Sequence, residues 1–255
     1  MTEPEPTSAR PDDLLARWDA QQAAYIRHRD LRFDTMARVV GLLGRSTPRV
    51  LDLACGPGSL TRFIRDRFPG SSVVAVDKDP LLLAVARDVF ADDPQVMIAN
   101  ADLDEAAWAA SAPGPFDAVV SSTALHWLEP DVLVRLYFEL ADLIAPGGVF
   151  LNGDHFAYDP AAQPTLLRIA ADDDAVTQQA AFDAGADTWD HWWEVAAARP
   201  GYSFAATARE HLWEGNHTAP KVTLGFHLET LRSAGFSEVG TVWQYLDDYV
   251  VAAVR

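Results

Sequence analysis

Short apolar runs alternate along this chain with longer stretches of helical spacing. Residues 50–54 form the first run, of the kind expected for a strand buried on both faces. Gly56-Pro57-Gly58 breaks it, and Leu60, Phe63, Ile64 and Phe68 then recur at helical spacing behind a capping Ser59. A Pro69-Gly70 turn leads to a second run, 73–76, which ends on Asp77. This is a βαβ unit of about 30 residues. The alternation continues through a helix from Asp79-Pro80 to about Phe90, a strand at 95–99, a strand at 115–122, a helix at 130–143 and a strand at 149–152. Beyond a long aromatic-rich stretch come a helix at 224–234 and apolar runs near 235–239 and 249–254. Ahead of it all, 13–43 has a helical pattern, in one piece or two. The reading is an α/β fold around a parallel, doubly wound sheet.

Two glycines at a strand-to-helix turn let a ligand approach the backbone closely. An acid about 20 residues on, at the end of the next strand, is placed to accept hydrogen bonds from ribose hydroxyls. That geometry admits two cofactors. A dinucleotide site wants a third glycine, and Thr61 stands there instead. Asp52, inside the first strand, would repel a pyrophosphate but suits a ligand with an ammonium group.

The run Val50-Leu51-Asp52-Leu53-Ala54-Cys55-Gly56-Pro57-Gly58 closely resembles the first motif of class I S-adenosylmethionine (SAM) methyltransferases. The order of helix, Pro146-Gly147-Gly148 turn and strand resembles that family too, and Ser122-Thr123-Ala124-Leu125-His126-Trp127-Leu128 resembles its small-molecule, trans-aconitate methyltransferase type. The resemblance implies seven strands, the last antiparallel between its neighbours. It also implies SAM as cofactor and S-adenosylhomocysteine (SAH) as product. The cofactor-binding set it implies is Tyr25, Arg29, Asp52, Ala54, Gly56, Gly58, Asp77, Lys78, Asp102, Leu103, Ser121 and Ser122, with Asp102 at the adenine amino group. For Tyr25 and Arg29, spacing alone leaves two readings open. The 18–33 helix either packs on the sheet with solvated arginines, or folds over the cofactor with Tyr25 and Arg29 on one face. The resemblance favours the second. Trp108 reads as a core aromatic rather than an adenine stacker.

Composition narrows the chemistry. The chain has 255 residues, 49% of them hydrophobic, enough for one large domain with an insertion. A net charge of −17 argues against phosphate-facing nucleic-acid binding, and no apolar run approaches the roughly 20 residues of a membrane span. A lone cysteine and a start without a signal-peptide pattern lead to an expected cytoplasmic location. The expected division is a tail at 1–12, a SAM-binding core with lid helix at 13–154, a helical cap at 155–221 between the fifth and sixth strands, and a completing segment at 222–255. The partner is a small molecule, and the protein is a monomer or homodimer. No zinc, hydrolase or protease motif occurs. Asp154, His155, His217 and His227 lack compact ligand spacing, so no metal is expected.

Acceptor residues are expected at the carboxyl edge of the sheet and in the cap, where Trp127, His155, Trp189, Trp193 and His217 are the candidates. As catalytic base His126 ranks first and His155 second, against transfer driven by proximity alone. Asp154 precedes His155, but neighbours on a strand point to opposite faces, so Asp154 serves His155 only if the two do not diverge, and otherwise His217. The aromatic cap suggests an apolar acceptor methylated on oxygen or nitrogen. The alternatives are a carboxylate acceptor of the trans-aconitate type and non-methyl SAM chemistry such as carboxy-SAM formation. Asp172-Asp173-Asp174 reads as a solvated helix end.

Overall fold

A computed structural model describes residues 11–214, 219–220 and 222–255. In chain order it has α1 (Pro11–Tyr25), α2 (Arg29–Leu42), β1 (Arg49–Leu53), α3 (Ser59–Arg67), β2 (Ser72–Asp77), α4 (Pro80–Val89), β3 (Val96–Asn100) and β4 (Phe116–Ser122). Then follow α5 (Pro130–Leu143), β5 (Ile144–His155), α6 (Pro164–Asp183), α7 (Trp189–Ala197), α8 (Ser203–Leu212), α9 (Leu224–Ser233), β6 (Glu238–Tyr245) and β7 (Asp248–Val254). The strands form one seven-stranded sheet in the order β3-β2-β1-β4-β5-β7-β6. The first five pair in parallel, and β7 lies antiparallel between β5 and β6. The strand order reverses beside β1, which makes the carboxyl ends of β1, β2 and β4 a ligand-binding crevice.

Each face of the sheet carries its own core. Leu51, Leu53, Val119 and Phe150 pack with Leu136 and Tyr137 of α5 and Leu231 of α9. Val50, Val73, Val120 and Leu151 pack with Phe33, Met36 and Val40 of α2 and Ile64 of α3. A third cluster joins α1, α4, α7 and α8 through Leu14, Leu81, Trp192 and Tyr202. Trp108 is buried in the first core, its Nε1 donating to Glu139 at 2.5 Å.

Three elements differ from the sequence reading. The N-terminal helix stops at Tyr25 and a new one begins at Arg29, so the two residues share no helix face. The stripe around Trp18 turns to α7 while Phe33, Met36 and Val40 turn to the sheet, and no straight helix meets both. The Pro146-Gly147-Gly148 segment is absorbed into β5, whose pairing with β4 shifts register between Phe116 and Ala118. The acidic run at 172–174 is no helix end: α6 continues to Asp183, and Asp173 pairs with Arg27 at 2.6 Å. Among the described residues no helix is long and apolar enough to cross a membrane.

Candidate active site

The glycine turn is built by backbone geometry. Ala54, Gly56 and Gly58 all have positive φ, and Cys55 N donates to Val76 O at 3.0 Å, which keeps the turn paired to β2. A Cβ on Gly58 would lie 2.5 Å from the Phe90 ring, so that position needs glycine for space as well as for φ. Asp77 closes the turn: Oδ2 accepts from Gly56 N and Oδ1 from Asp79 N, both at 2.8 Å. Burial pushes its pKa up to about 6 in spite of those bonds. Asp52, fully enclosed, accepts from Thr61 Oγ1 at 2.6 Å, and burial pushes it up to about 7.

Around this turn the expected cofactor residues separate into two groups. Lys78 lies 3.3 Å from Asp102 and 2.8 Å from Asp104, spanning the ends of β2 and β3. Arg29 reaches the turn from α2: its Nη1 donates to Asp19 at 2.7 Å, and Ser59 Oγ donates to the same carboxylate oxygen at 2.6 Å. Four others are committed elsewhere. Leu103 packs into the core and its carbonyl accepts from Arg135 at 2.7 Å. The Ser121 hydroxyl is buried and donates to Leu53 O at 2.9 Å, and Ser122 Oγ accepts from Arg32 at 3.0 Å. Tyr25 faces a separate cavity and its ring meets Phe182 at 6.2 Å.

That cavity, of about 360 Å³, opens at the carboxyl ends of β4 and β5, one strand over from the glycine turn. Tyr25, Thr123, His126, His155, Asp174, His227 and Asp247 supply its polar lining. His126 is anchored by Asp154. The ring Nδ1 lies 2.7 Å from Oδ1, and the His126 backbone N–H donates to Oδ2 at 3.1 Å. Burial alone would lower the His126 pKa, but the charge and hydrogen bond of Asp154 outweigh it and the net shift is upward. Asp154, itself fully buried, is held below the usual carboxylate range because His126 and Arg32 together overcome the cost of burial. With Nδ1–H given to a carboxylate, the Nε2 lone pair is the one free to take a proton. Asp154 meets His155 only through that residue's backbone N–H, at 2.9 Å, because the side chains diverge across the strand.

The tryptophans stand elsewhere. Trp189 and Trp193 line no part of this cavity; they cluster with Trp18 and Trp192 at ring distances of 4.7–5.9 Å. Trp18 reaches to 4.0 Å from where a Gly56 Cβ would sit. Arg209 stacks on Trp193 at 3.6 Å and pairs with Asp79 at 3.0 Å, so this aromatic group covers the β2 side of the crevice. Trp127 is half exposed, 5.2 Å from His126. His217 lies outside the described residues, and among those described no group of three or more His, Cys, Asp or Glu is arranged to hold a metal.

Two residues of the site were not singled out from sequence. Arg32 is fully buried and ties together Asp248 (2.7 Å), Ser122 and Thr123. The signal for it was present only as one arginine among several in an aromatic-containing stretch. In the sequence His227 stands only among scattered potential metal ligands, and nothing local marks it as facing the cavity.

Residues 50–148 match the family model described as a methyltransferase domain. The trans-aconitate 2-methyltransferase of Mycobacterium tuberculosis (strain ATCC 25177 / H37Ra) is 38% identical over 128 residues, 49% of this chain and 44% of that protein. The enzyme of the same description from Azoarcus sp. (strain BH72) is 39% identical over 139 residues, 53% of this chain and 49% of that protein. The chain thus spans about half the length of these curated relatives. Among solved structures, the apo form of the S-adenosylmethionine-dependent methyltransferase SibL superposes with a TM-score of 0.59 at 20% identity, covering 99% of this chain and 63% of that one. PigF with SAH superposes at 0.51 and 16% identity, covering 81% and 50%.

Proposed function

From a chain that carries a methyltransferase domain on the class I SAM-dependent methyltransferase fold, we propose an enzyme that transfers the methyl group of SAM to an oxygen or nitrogen of a small molecule. The observation that carries the proposal is the His126–Asp154 pair, which turns a proton-accepting nitrogen toward a cavity beside the glycine turn.

The residues at the turn fit the cofactor. Gly56 and Gly58 leave the backbone bare, and Asp77 offers carboxylate lone pairs to ribose hydroxyls. Asp52 and Asp77 are two buried acids without a cation among the described residues, which suits a positively charged ligand. Trp193 Nε1, buried and without a partner, is a spare donor in the aromatic group above the turn. Lys78, Asp102 and Arg29 stand at its ends. When bound, SAM supplies an electrophilic methyl group whose transfer needs chiefly alignment and desolvation. The chain's own part is to hold the acceptor in the cavity and, through His126 Nε2, to take its proton as the nucleophile attacks. The segments 13–154 and 222–255 act as the cofactor-binding core, and the helices α6, α7 and α8 cover it.

The relatives favour a second reading, methylation of a carboxylate. Two features weigh against it. Asp174 and Asp247 line the cavity, and no arginine or lysine does so among the described residues. A carboxylate is also already ionised and has no use for the His126 base.

The test is incubation with SAM and a panel of hydroxyl, amine and carboxylate acceptors, with mass analysis of product and spent cofactor. We expect methylated alcohols, phenols or amines, and SAH. His126→Ala should lower turnover on the order of 10²- to 10⁴-fold and leave SAH affinity unchanged. Methylation of polycarboxylates alone, or turnover within about tenfold of the parent in the variant, defeats the assignment. A cofactor modified without methyl transfer would point to non-methyl chemistry.

A further inference from the structure

We propose that His227 is a recognition residue for the methyl acceptor, a neutral hydrogen-bond donor held in one tautomer by Tyr137, and that the acceptor is an uncharged molecule with a second oxygen besides the hydroxyl that is methylated. The inference rests on the reading above that the cavity holds the acceptor.

His227, on α9, is 1% exposed, lines the same cavity as His126, and is wedged against the Phe156 ring at 4.4 Å. Its Nδ1 lies 2.6 Å from the Tyr137 hydroxyl. Tyr137 is fully buried, and burial keeps its phenol protonated far above the ordinary value. Among the described residues that hydroxyl has one acceptor within reach, His227 Nδ1, so the phenol donates and Nδ1 accepts. Burial pushes His227 down to about 4, though Asp154 opposes it, and the ring is neutral at working pH. Its single proton is therefore on Nε2. Tyr137 does not line the cavity, so the ring edge away from it is the one the cavity sees, and no described residue accepts from Nε2.

The two imidazoles have opposite characters. His126, its Nδ1–H spent on Asp154, presents a lone pair; His227, its Nδ1 lone pair spent on Tyr137, presents a proton. A hydroxyl that gave its proton to His126 and also accepted from His227 would attack with less electron density, so productive binding gives His227 a different acceptor. A second oxygen with a free lone pair, close to the hydroxyl because both imidazoles line one cavity of about 360 Å³, gives His227 its acceptor, and a buried donor left unpaired discriminates strongly against molecules lacking one. Asp174 and Asp247 disfavour an anion there, which leaves an ether or carbonyl oxygen.

The test uses 2-methoxyphenol and 2-ethylphenol, alike in shape and hydroxyl, titrated into the full chain loaded with SAH. The methoxy compound should bind on the order of 10-fold tighter. His227→Leu should bring the ratio to about one. His227→Gln, whose amide keeps a donor near the Nε2 position, should retain a preference, and circular dichroism checks that each variant is folded. Nitrogen-15 NMR of the parent should find the His227 proton on Nε2, with Tyr137→Phe releasing that restriction. Four results would overturn the proposal: equal binding by the parent, no binding of either phenol, a preference that survives in folded His227→Leu, or a proton on Nδ1. If the parent discriminates between the phenols but methylates neither, the proposed chemistry fails while this recognition stands.

Discussion

Asp154 shows how much one side chain decides here. Its two oxygens accept from His126 twice and from the His155 backbone once, deep below the cavity. Asp154→Asn keeps the shape but removes the charge that raises His126 and sets its tautomer. Turnover should fall on the order of 10²- to 10⁴-fold. The pH profile carries the sign: in the proposed mechanism His126 works as the free base, so turnover should rise as pH climbs through its raised pKa. In the Asn variant the midpoint of that rise should move to lower pH, and an unmoved midpoint would exclude the coupling. The pair also stabilises the fold. The His126 share is full below its unfolded pKa of about 6.5 and is lost as pH rises through the raised value. The Asp154 share is present above about 4 and is lost as pH falls through the lowered one. Asp77 is the second decisive residue. Asp77→Ala removes a charge-assisted acceptor worth about 1.5–3 kcal/mol, so calorimetry should find SAH bound about 10- to 150-fold more weakly.

Among the elements, α1 and α7 are joined by their tryptophans. Trp192 is the largest fully buried side chain, and its indole N–H donates to Leu14 O in α1 at 3.0 Å. Trp18 of α1 in turn meets the Trp192 ring at 4.7 Å and reaches the glycine turn. Trp192→Ala should destabilise the protein by about 3–5 kcal/mol in chemical denaturation, from lost burial and the cavity left behind. The break between α1 and α2 belongs to the same argument. A periodic pattern predicts helix on both sides of Tyr25, but not that two apolar stripes aimed at different partners force a turn between them.

For the molecule as a whole, Arg32 is the long-range tie. It joins α2 to the end of β4 and the start of β7, 216 residues away at Asp248, and its side-chain carbons fill the space left by Gly153. Arg32→Met leaves Asp248 buried without its counter-charge and should cost about 3–5 kcal/mol. Adding Asp248→Asn should recover most of that loss. Equal stability of the single and double variants in urea melts would show that the pair is not coupled.

The sequence by itself determined the parts whose causes are local. Apolar periodicity, Gly56 and Gly58, and the acid ending β2 are written within a few residues of one another, so the parallel core and the turn were legible. The antiparallel place of β7 came by family resemblance and agrees with the observed order. Tertiary structure alone decided which side chains meet. Asp154 serves His126, 28 residues away, rather than its neighbour His155, because the pleat turns adjacent residues to opposite faces. His227 acquires its tautomer from Tyr137, 90 residues earlier, once α9 packs on α5. The tryptophans stand at the crevice and not at the cavity because α7 docks on α1 and α4 rather than over β4 and β5. Local spacing carries the constraints on a single backbone segment, whereas pairing between segments is set by packing, which no window of sequence contains.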